Sequence, residues 1–130
     1  MEKFQNSKEF NEIIADLKSK NFSEALKKIK PASINYPNEN IILKLYAIIY
    51  FNLKEWKNAI KYYEKILIFE KELYKIFTNI GVSYFKLGKI NKSIDAFKKS
   101  IKNNPNFGLA YNNLGISYLE LGMHEKAIKQ

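Results

Sequence analysis

The chain has 130 residues, 46% of them hydrophobic and 27% charged, with no cysteine and a single histidine. The lack of cysteine excludes disulfide bonds, thiolate metal sites and a cysteine nucleophile, and one imidazole cannot build a histidine zinc cluster. No apolar run approaches the roughly 18 residues of a membrane span, and the N-terminus lacks the apolar stretch of a signal peptide. We therefore expect one cytoplasmic domain that is not an enzyme and needs no cofactor or metal.

The net charge of +9 comes from lysine alone, because all 22 basic residues are lysine and arginine is absent. Proteins that read nucleic-acid sequence depend on arginine for base edges and for stacking. The composition therefore predicts no specific nucleic-acid binding. Weak attraction to nucleic acids or other anionic surfaces stays open as an alternative, and lysines on solvated helix faces are the simpler interpretation.

The sequence repeats itself at a fixed period, most clearly between positions 74–107 and 108–130. Like residues coincide when the second segment is placed under the first: Phe77 with Tyr111, Ile80 with Leu114, Gly81 with Gly115, Tyr84 with Tyr118, Leu87 with Leu121 and Gly88 with Gly122. The pattern extends back over positions 40–73 and, less well, over positions 6–39. A fixed period of this length is typical of stacked supersecondary repeats.

Repeat 1 covers residues 6–39, after an N-terminal extension of residues 1–5, and it departs from the pattern twice. Its apolar residues stand one place later than the repeat pattern requires; they are Phe10, Ile13, Ile14 and Leu17. This shift predicts that the connection before Phe22 is one residue shorter than in the other repeats. Pro31 falls inside the second helix of this repeat, where it is expected to kink or end that helix. Repeat 1 is therefore predicted to be a degenerate N-terminal cap.

Repeat 2 covers residues 40–73 and repeat 3 covers residues 74–107. Repeat 3 has two segments with apolar residues three and four places apart, as on one face of a helix: Phe77, Ile80, Tyr84 and Leu87, then Ile90, Ile94, Phe97 and Ile101. Gly88 is predicted to end the first helix, and Pro105 to limit the second. In repeat 2, Lys71 replaces that proline, so the helix through residues 60–69 is expected to run on for another turn.

Repeat 4 covers residues 108–130 and is expected to turn at Gly122 into a second helix, about a third of which is present. Ala127 and Ile128 begin an apolar face that has no polar cap. This favours either a longer protein or self-association through the uncapped end. His124 takes the place of Phe22, Trp56 and Ile90 in the earlier repeats, so it is expected to pack between helices and not to bind a ligand.

These positions resemble those of the tetratricopeptide repeat, whose first helix carries an aromatic residue, a leucine, a glycine or alanine, and a tyrosine. Repeat 3 matches with Phe77, Ile80, Gly81, Tyr84, Gly88, Phe97 and Pro105, and has Ser93 and Ser100 in place of alanine. The resemblance implies an all-α, right-handed α-solenoid of about 3.5 helical hairpins. It also implies a concave face, lined by the first helices, that binds a peptide or protein partner.

Candidate partner-binding residues lie one step off the buried face of the first helices, a surface that also includes Ile41, Phe85, Lys86, Leu109, Leu119 and Glu120. The predicted set is Lys44, Ile48, Phe51, Lys75, Thr78, Asn79, Val82, Asn112, Asn113 and Ile116. Within it, Ile48, Val82 and Ile116 recur at one place in successive repeats. They predict an apolar strip for a partner, unless neighbouring helices cover them.

Asn79 and Asn113 also share one place in successive repeats. An amide offers both donors and an acceptor, so stacked asparagines can hold a peptide backbone without reading its sequence. Solvation of the helix surface is the alternative interpretation. Lys44 and Asn79 additionally occupy two places of the carboxylate clamp known in chaperone-binding members, but Ile48 and Leu109 stand where the clamp needs polar groups.

Together these patterns predict an interaction scaffold without a catalytic constellation. A second hypothesis is that the chain is the N-terminal recruitment module of a larger bacterial transferase acting on glycosyl, sulfo or methyl groups. A third is weak binding to nucleic acid or an anionic surface, which would fall steeply with salt.

Overall fold

The computed structural model describes residues 3–129. Met1, Glu2 and Gln130, which the predicted N-terminal extension and repeat 4 include, lie outside the described residues. Over the described range every regular element is helical, so the predicted all-α class is confirmed. After a 3-10 turn at Phe4–Asn6, the helices are α1 (Lys8–Lys18), α2 (Phe22–Asn35), α3 (Asn40–Asn52), α4 (Trp56–Ile66), α5 (Leu73–Lys86), α6 (Ile90–Asn103) and α7 (Gly108–Lys129).

The chain divides after Ile66 into two compact units. In the N-terminal unit, α1 packs on α2, α2 on α3 and α3 on α4. In the C-terminal unit, α5 packs on α6, α6 packs on α7, and α5 also contacts α7. The N-terminal unit is therefore two stacked helical hairpins, and the C-terminal unit is one hairpin with α7 packed on it.

The turns inside the hairpins follow the repeat period. Three-residue connections join α1 to α2, α3 to α4 and α5 to α6. Each contains a residue with positive φ at the same place: Lys20 (60°), Lys54 (61°) and Gly88 (78°). The prediction of a shorter connection in repeat 1 is therefore wrong. The one-place shift is accommodated inside α1, where Ile13 takes the fully buried place that Ala47 holds in α3.

Two second helices end at places other than those the sequence suggested. Pro31 does not end α2, which continues to Asn35. Proline removes only one donor, and the helical hydrogen bonds resume beyond it, since the Tyr36 amide donates to Ala32 O at 2.9 Å. The helix α4 does not run on but ends at Ile66, the last buried residue of its apolar face, and Ile68 just beyond it is 90% exposed.

Repeat 4 departs from its prediction as well, because α7 runs without interruption through Gly122 to Lys129. A helix that continues satisfies its own backbone hydrogen bonds, whereas a turn at Gly122 would need apolar packing to hold the short segment beyond it. Residues 123–128 are exposed, including Met123 and Ile128. His124 is likewise exposed and lies 3.2 Å from Glu120 Oε1, so its predicted packing role is wrong.

The core of the N-terminal unit includes a residue of the predicted extension. Phe4 is fully buried, with its ring 5.3 Å from that of Phe10 and 5.2 Å from that of Tyr36. Ser7 fixes the approach to α1, since its hydroxyl donates to Phe4 O at 2.5 Å and accepts from the Phe10 amide at 3.1 Å. The helix therefore starts with a serine cap and with an aromatic anchor before it.

In the C-terminal unit, Ser93 and Ser100 stand where the resemblance predicts alanine, and their hydroxyl groups are hydrogen-bonded. Ser93 Oγ donates to Ile90 O at 2.7 Å and also lies 3.2 Å from Ser117 Oγ, a hydrogen bond that links α6 to α7. The hydroxyls of Thr78 and Ser100 lie 2.7 Å apart and link α5 to α6. Buried hydroxyls stabilise a core only when such partners exist.

Candidate functional site

Three predicted residues lie on α3 in the N-terminal unit and differ in what they offer a partner. Ile48 is exposed and Lys44 is half-buried. The ring of Phe51 packs edge-on against Trp56, at 5.4 Å between ring centroids, and against Tyr63, at 6.0 Å. Phe51 is therefore held by its own hairpin, and Ile48 provides the open apolar surface of this set.

The C-terminal unit brings three other predicted residues together around one cavity, which we call the α5–α7 cavity. Val82 of α5 and Asn113 and Ile116 of α7 line this space of about 190 Å³. Phe85, Lys86 and Phe97 complete its lining. The cavity is smaller than the roughly 300 Å³ at which small-molecule sites begin, so its size suits a single side chain better than a free ligand.

The repeat period explains why these residues meet. Val82 and Ile116 stand at the same place of successive repeats, so α5 and α7, which contact each other, present them from equivalent positions. Phe97 of α6 is buried and contributes its ring to the lining. The result is an apolar recess that stays accessible, since Ile116 is 45% exposed.

Two polar groups accompany the apolar lining. Lys86 is exposed at the end of α5, where an ammonium can reach a carboxylate. Asn113 is half-buried and carries an amide with donors and an acceptor. The cavity therefore combines a place for an aliphatic side chain with groups able to bind a peptide backbone and an acidic neighbour.

The remaining predicted residues of this unit lie elsewhere on α5 and α7. Lys75 pairs with Glu72, at 2.7 Å between Nζ and Oε2, and this hydrogen bond raises the pKa of Lys75. Asn112 is exposed, and Asn79 is half-buried with its main-chain carbonyl oxygen accepting from Ser83 Oγ at 2.8 Å. Thr78 is a correction to the predicted set, because it is 2% exposed and bonded inside the hairpin, so it is a packing residue.

The sequence pattern assigns Phe97 to packing, and its ring also lines the cavity. The signal that could have identified it is Gly81 on the facing helix, because a glycine in mid-helix often permits the close approach of a ring. The position of the Phe97 ring relative to the cavity depends on how α6 lies against α5 and α7, which periodicity does not specify.

A larger cleft of about 420 Å³ lies in the N-terminal unit beside Tyr46, Tyr62 and Lys65. The rings of Tyr46 and Tyr62 stack at 4.7 Å between centroids, and Tyr50 lies 5.7 Å from Tyr62. The Tyr46 hydroxyl donates to Ser33 Oγ at 3.4 Å. This cleft is lined mainly by polar groups and contains none of the predicted site residues.

Among residues 3–129, no three histidine, cysteine or acidic side chains cluster in a way that could hold a metal ion. Within the same range, none of the helices has the length and apolar character required to cross a bilayer.

Three family models, each described as tetratricopeptide repeat, match the chain at residues 10–72, 74–107 and 96–129. The chain belongs to the tetratricopeptide repeat family. No curated protein sequence matches it. Members of this family are typically protein-interaction modules without catalytic activity.

Solved structures of tetratricopeptide repeat proteins have the same fold. The MamA D159K mutant superposes with a TM-score of 0.76 at 20% identity, over 93% of this chain and 70% of that one. The first repeat domain of human RPAP3 gives 0.72 at 19% identity, over 89% and 91%. The second RPAP3 domain, in complex with the HSP70 peptide SGPTIEEVD, gives 0.71 at 16% identity, over 85% and 92%. At such identities the likeness concerns the fold.

Proposed function

We propose that the chain is a protein-interaction module whose C-terminal unit binds a segment of a partner protein at the α5–α7 cavity. The observation that carries this proposal is the meeting of Val82, Asn113 and Ile116 around an accessible apolar recess. An accessible apolar recess with polar groups at its edge is the usual form of a peptide-anchoring site.

The chemistry of the cavity indicates the kind of segment. Its apolar walls favour an aliphatic side chain as the anchor, and Lys86 favours an acidic residue next to that anchor. The net charge of +9 adds a general attraction for acidic segments. The peptide SGPTIEEVD bound by the second RPAP3 domain combines aliphatic and acidic residues, and it serves as precedent for this class of ligand on the same fold.

Asn79 and Asn113 extend the proposed site along the partner's backbone. Each amide hydrogen bond contributes only about 0.5–1.5 kcal/mol net, and burial of one aliphatic side chain contributes about 1.5–3 kcal/mol. After the cost of ordering the segment, affinity from one such site is weak, at about the millimolar to high micromolar level. Asn112 on α7 is proposed as a further contact within the same unit, and Ile48 on α3 as a separate contact in the N-terminal unit.

The test uses the peptide SGPTIEEVD as probe and follows amide chemical shifts of the labelled full chain. We expect shifts at Val82, Asn113 and Ile116. We also expect weaker binding of SGPTAEEAD, which lacks the aliphatic anchors, and of SGPTIQQVN, which lacks the side-chain carboxylates. Ile116→Asp and Lys86→Glu should each weaken binding about tenfold or more, by analogy with loss of an anchor and reversal of a charge.

Matched controls separate the site from general effects. Ile68→Asp changes a 90% exposed isoleucine outside the cavity, and Lys102→Glu reverses an exposed charge on α6. Both controls should bind as the wild type does. Equal loss in Lys86→Glu and Lys102→Glu would show that only net charge attracts the peptide, and shifts confined to other residues would place the site elsewhere.

The double change Asn79→Ala with Asn113→Ala tests the backbone contacts separately. It should weaken SGPTIEEVD and its alanine-substituted form by the same factor, because amide contacts to a backbone do not depend on the side chains of the ligand. Unchanged affinity would show that the asparagines are not part of the proposed site, and it would not contradict the apolar anchor.

A further inference from the structure

The six residues that line the α5–α7 cavity come from three helices and differ in burial. Phe97 of α6 is 1% exposed. The five others belong to α5 and α7 and are half-buried or exposed. Since α6 packs against both α5 and α7, it closes the space between them from behind. The ring of Phe97 is therefore the innermost surface that a side chain entering between α5 and α7 would meet.

The depth of the cavity depends on how the Phe97 ring is seated. A Cβ placed on Gly81 of α5 would lie 2.5 Å from Cε1, 2.7 Å from Cδ1 and 2.8 Å from Cζ of that ring. The ring therefore lies against the main chain of α5, at a place where the facing residue has no side chain. A contact between two buried residues thus determines how much space remains for a ligand.

A change at residue 97 would alter this space differently from a change at the other lining residues. Packed interiors leave few voids, and shortening a buried side chain opens space that its neighbours fill only in part. A shorter side chain at residue 97 would therefore deepen the cavity of about 190 Å³. Changes at the partly exposed residues, such as Ile116, would mainly alter its opening to solvent.

We infer that Phe97 is the residue that determines which anchor the cavity accepts, favouring a branched aliphatic side chain and disfavouring an aromatic one. The inference rests on the proposed function, because it concerns the same cavity. In an apolar pocket, one methylene more or less changes discrimination by roughly 10–200-fold, so the position of one buried ring is enough to select by size. The partner segment is then one with isoleucine, leucine or valine at its anchor position.

The test compares two peptides on the labelled full chain, with amide chemical shifts as the readout. The first is SGPTIEEVD, and the second is SGPTFEEFD, in which phenylalanine replaces both aliphatic residues. The wild type should bind SGPTIEEVD more tightly. Phe97→Leu should shift the ratio of the two dissociation constants about tenfold toward SGPTFEEFD, because the deeper cavity accommodates the larger anchor.

A second variant guards against loss of folding in Phe97→Leu, which removes a ring from the core. The double change Gly81→Ala with Phe97→Leu places a methyl group in part of the space that the ring vacates. Circular dichroism should show the helix content of the wild type in this double variant. Its ratio of dissociation constants should lie between those of the wild type and Phe97→Leu.

Phe77→Leu is the matched control, because it removes a half-buried ring of α5 that does not line the cavity. It should leave the ratio unchanged, and a shift equal to that of Phe97→Leu would assign the effect to general loosening of the unit. Methyl protons of bound SGPTIEEVD should also give nuclear Overhauser effects to the Phe97 ring. Contacts to Val82 and Ile116 without any to Phe97 would overturn the inference.

The outcomes separate this inference from the proposed function. If SGPTIEEVD binds at the cavity but the wild type prefers SGPTFEEFD, or if Phe97→Leu leaves the ratio unchanged, the role of Phe97 is overturned and the binding site is retained. If neither peptide shifts Val82, Asn113 or Ile116 in the wild type, both proposals are overturned together.

Discussion

The ring of Phe97 occupies the space that a side chain at residue 81 would need. A Cβ placed on Gly81 would lie 2.5 Å from Phe97 Cε1, far inside van der Waals contact. The glycine thus allows α6 to approach α5 closely and to bury the ring. The equivalent Gly115 on α7 has no neighbour within 4 Å of that position.

This difference predicts opposite effects of one substitution at two equivalent glycines. Gly81→Ala should destabilise the chain by about 1–3 kcal/mol, the usual cost of overpacking, because the Phe97 ring or the helix would have to shift. Gly115→Ala meets open space and should stabilise α7 by up to about 1 kcal/mol through helix propensity. Urea unfolding followed by circular dichroism measures both, and equal effects would contradict the close approach at Gly81.

The left-handed turn residues predict where glycine is preferred. Gly88→Ala should destabilise by about 1–2 kcal/mol, because φ of 78° is strained for a residue with a Cβ. Lys54→Gly relieves the same strain at φ of 61° and should stabilise by up to about 1 kcal/mol after the entropy that glycine adds to the unfolded chain. Lys57→Gly, an exposed helical position in α4, is the control and should destabilise. Thermal unfolding compares the three variants.

Because the ring of Phe4 is fully buried, we predict that the first residues of the chain contribute to folding stability. Phe4→Ala should cost about 3–5 kcal/mol, since the ring is fully buried between Phe10 and Tyr36. Phe4→Leu keeps much of the apolar volume and should cost clearly less. Urea unfolding of the three chains gives the comparison, and a Phe4→Ala chain as stable as the wild type would show that the ring is not part of the core in solution.

The stacked rings of Tyr46, Tyr50 and Tyr62 predict a loss of folding stability at alkaline pH. Burial, together with charge on Tyr46, raises the pKa of Tyr62, and burial together with charge on Tyr62, Tyr46 and Glu55 raises the pKa of Tyr50. The folded chain therefore holds these protons more tightly than the unfolded chain does. The stabilisation is complete below about pH 10, the ordinary tyrosine value, and is lost as the pH rises through the folded-state pKa values.

The double variant Tyr50→Phe with Tyr62→Phe isolates this effect, because it leaves the lysine pairs unchanged. Urea midpoints measured between pH 8 and 11 should fall less steeply for the variant than for the wild type. Absorbance near 295 nm should show delayed ionisation in the folded wild type. Parallel declines in the two chains would assign the alkaline loss to groups other than these tyrosines.

The sequence alone determined the three hairpins of repeats 1 to 3, their repeat period and the family, because each follows from the spacing of residues along the chain. Repeated apolar places at three- and four-residue intervals specify which face of each helix is buried. Val82, Asn113 and Ile116 were identified in this way as facing a common surface. The same reasoning misjudged Thr78, since a hydroxyl one step off the buried face can be exposed or bonded, and only its neighbour Ser100 decides which.

Tertiary packing decided where the chain turns and whether Phe4 is buried, neither of which follows from the repeat period. Lys20 and Lys54 make the turn that glycine makes in repeat 3, whereas Gly122 continues a helix, so the residue type at this place does not determine the turn. Phe4 is buried although it precedes the repeats, because two aromatic rings lie within reach of it. These cases share one physical reason. Local conformational preferences differ by about 1 kcal/mol between residue types, and burial of an aromatic or aliphatic side chain contributes more free energy than that.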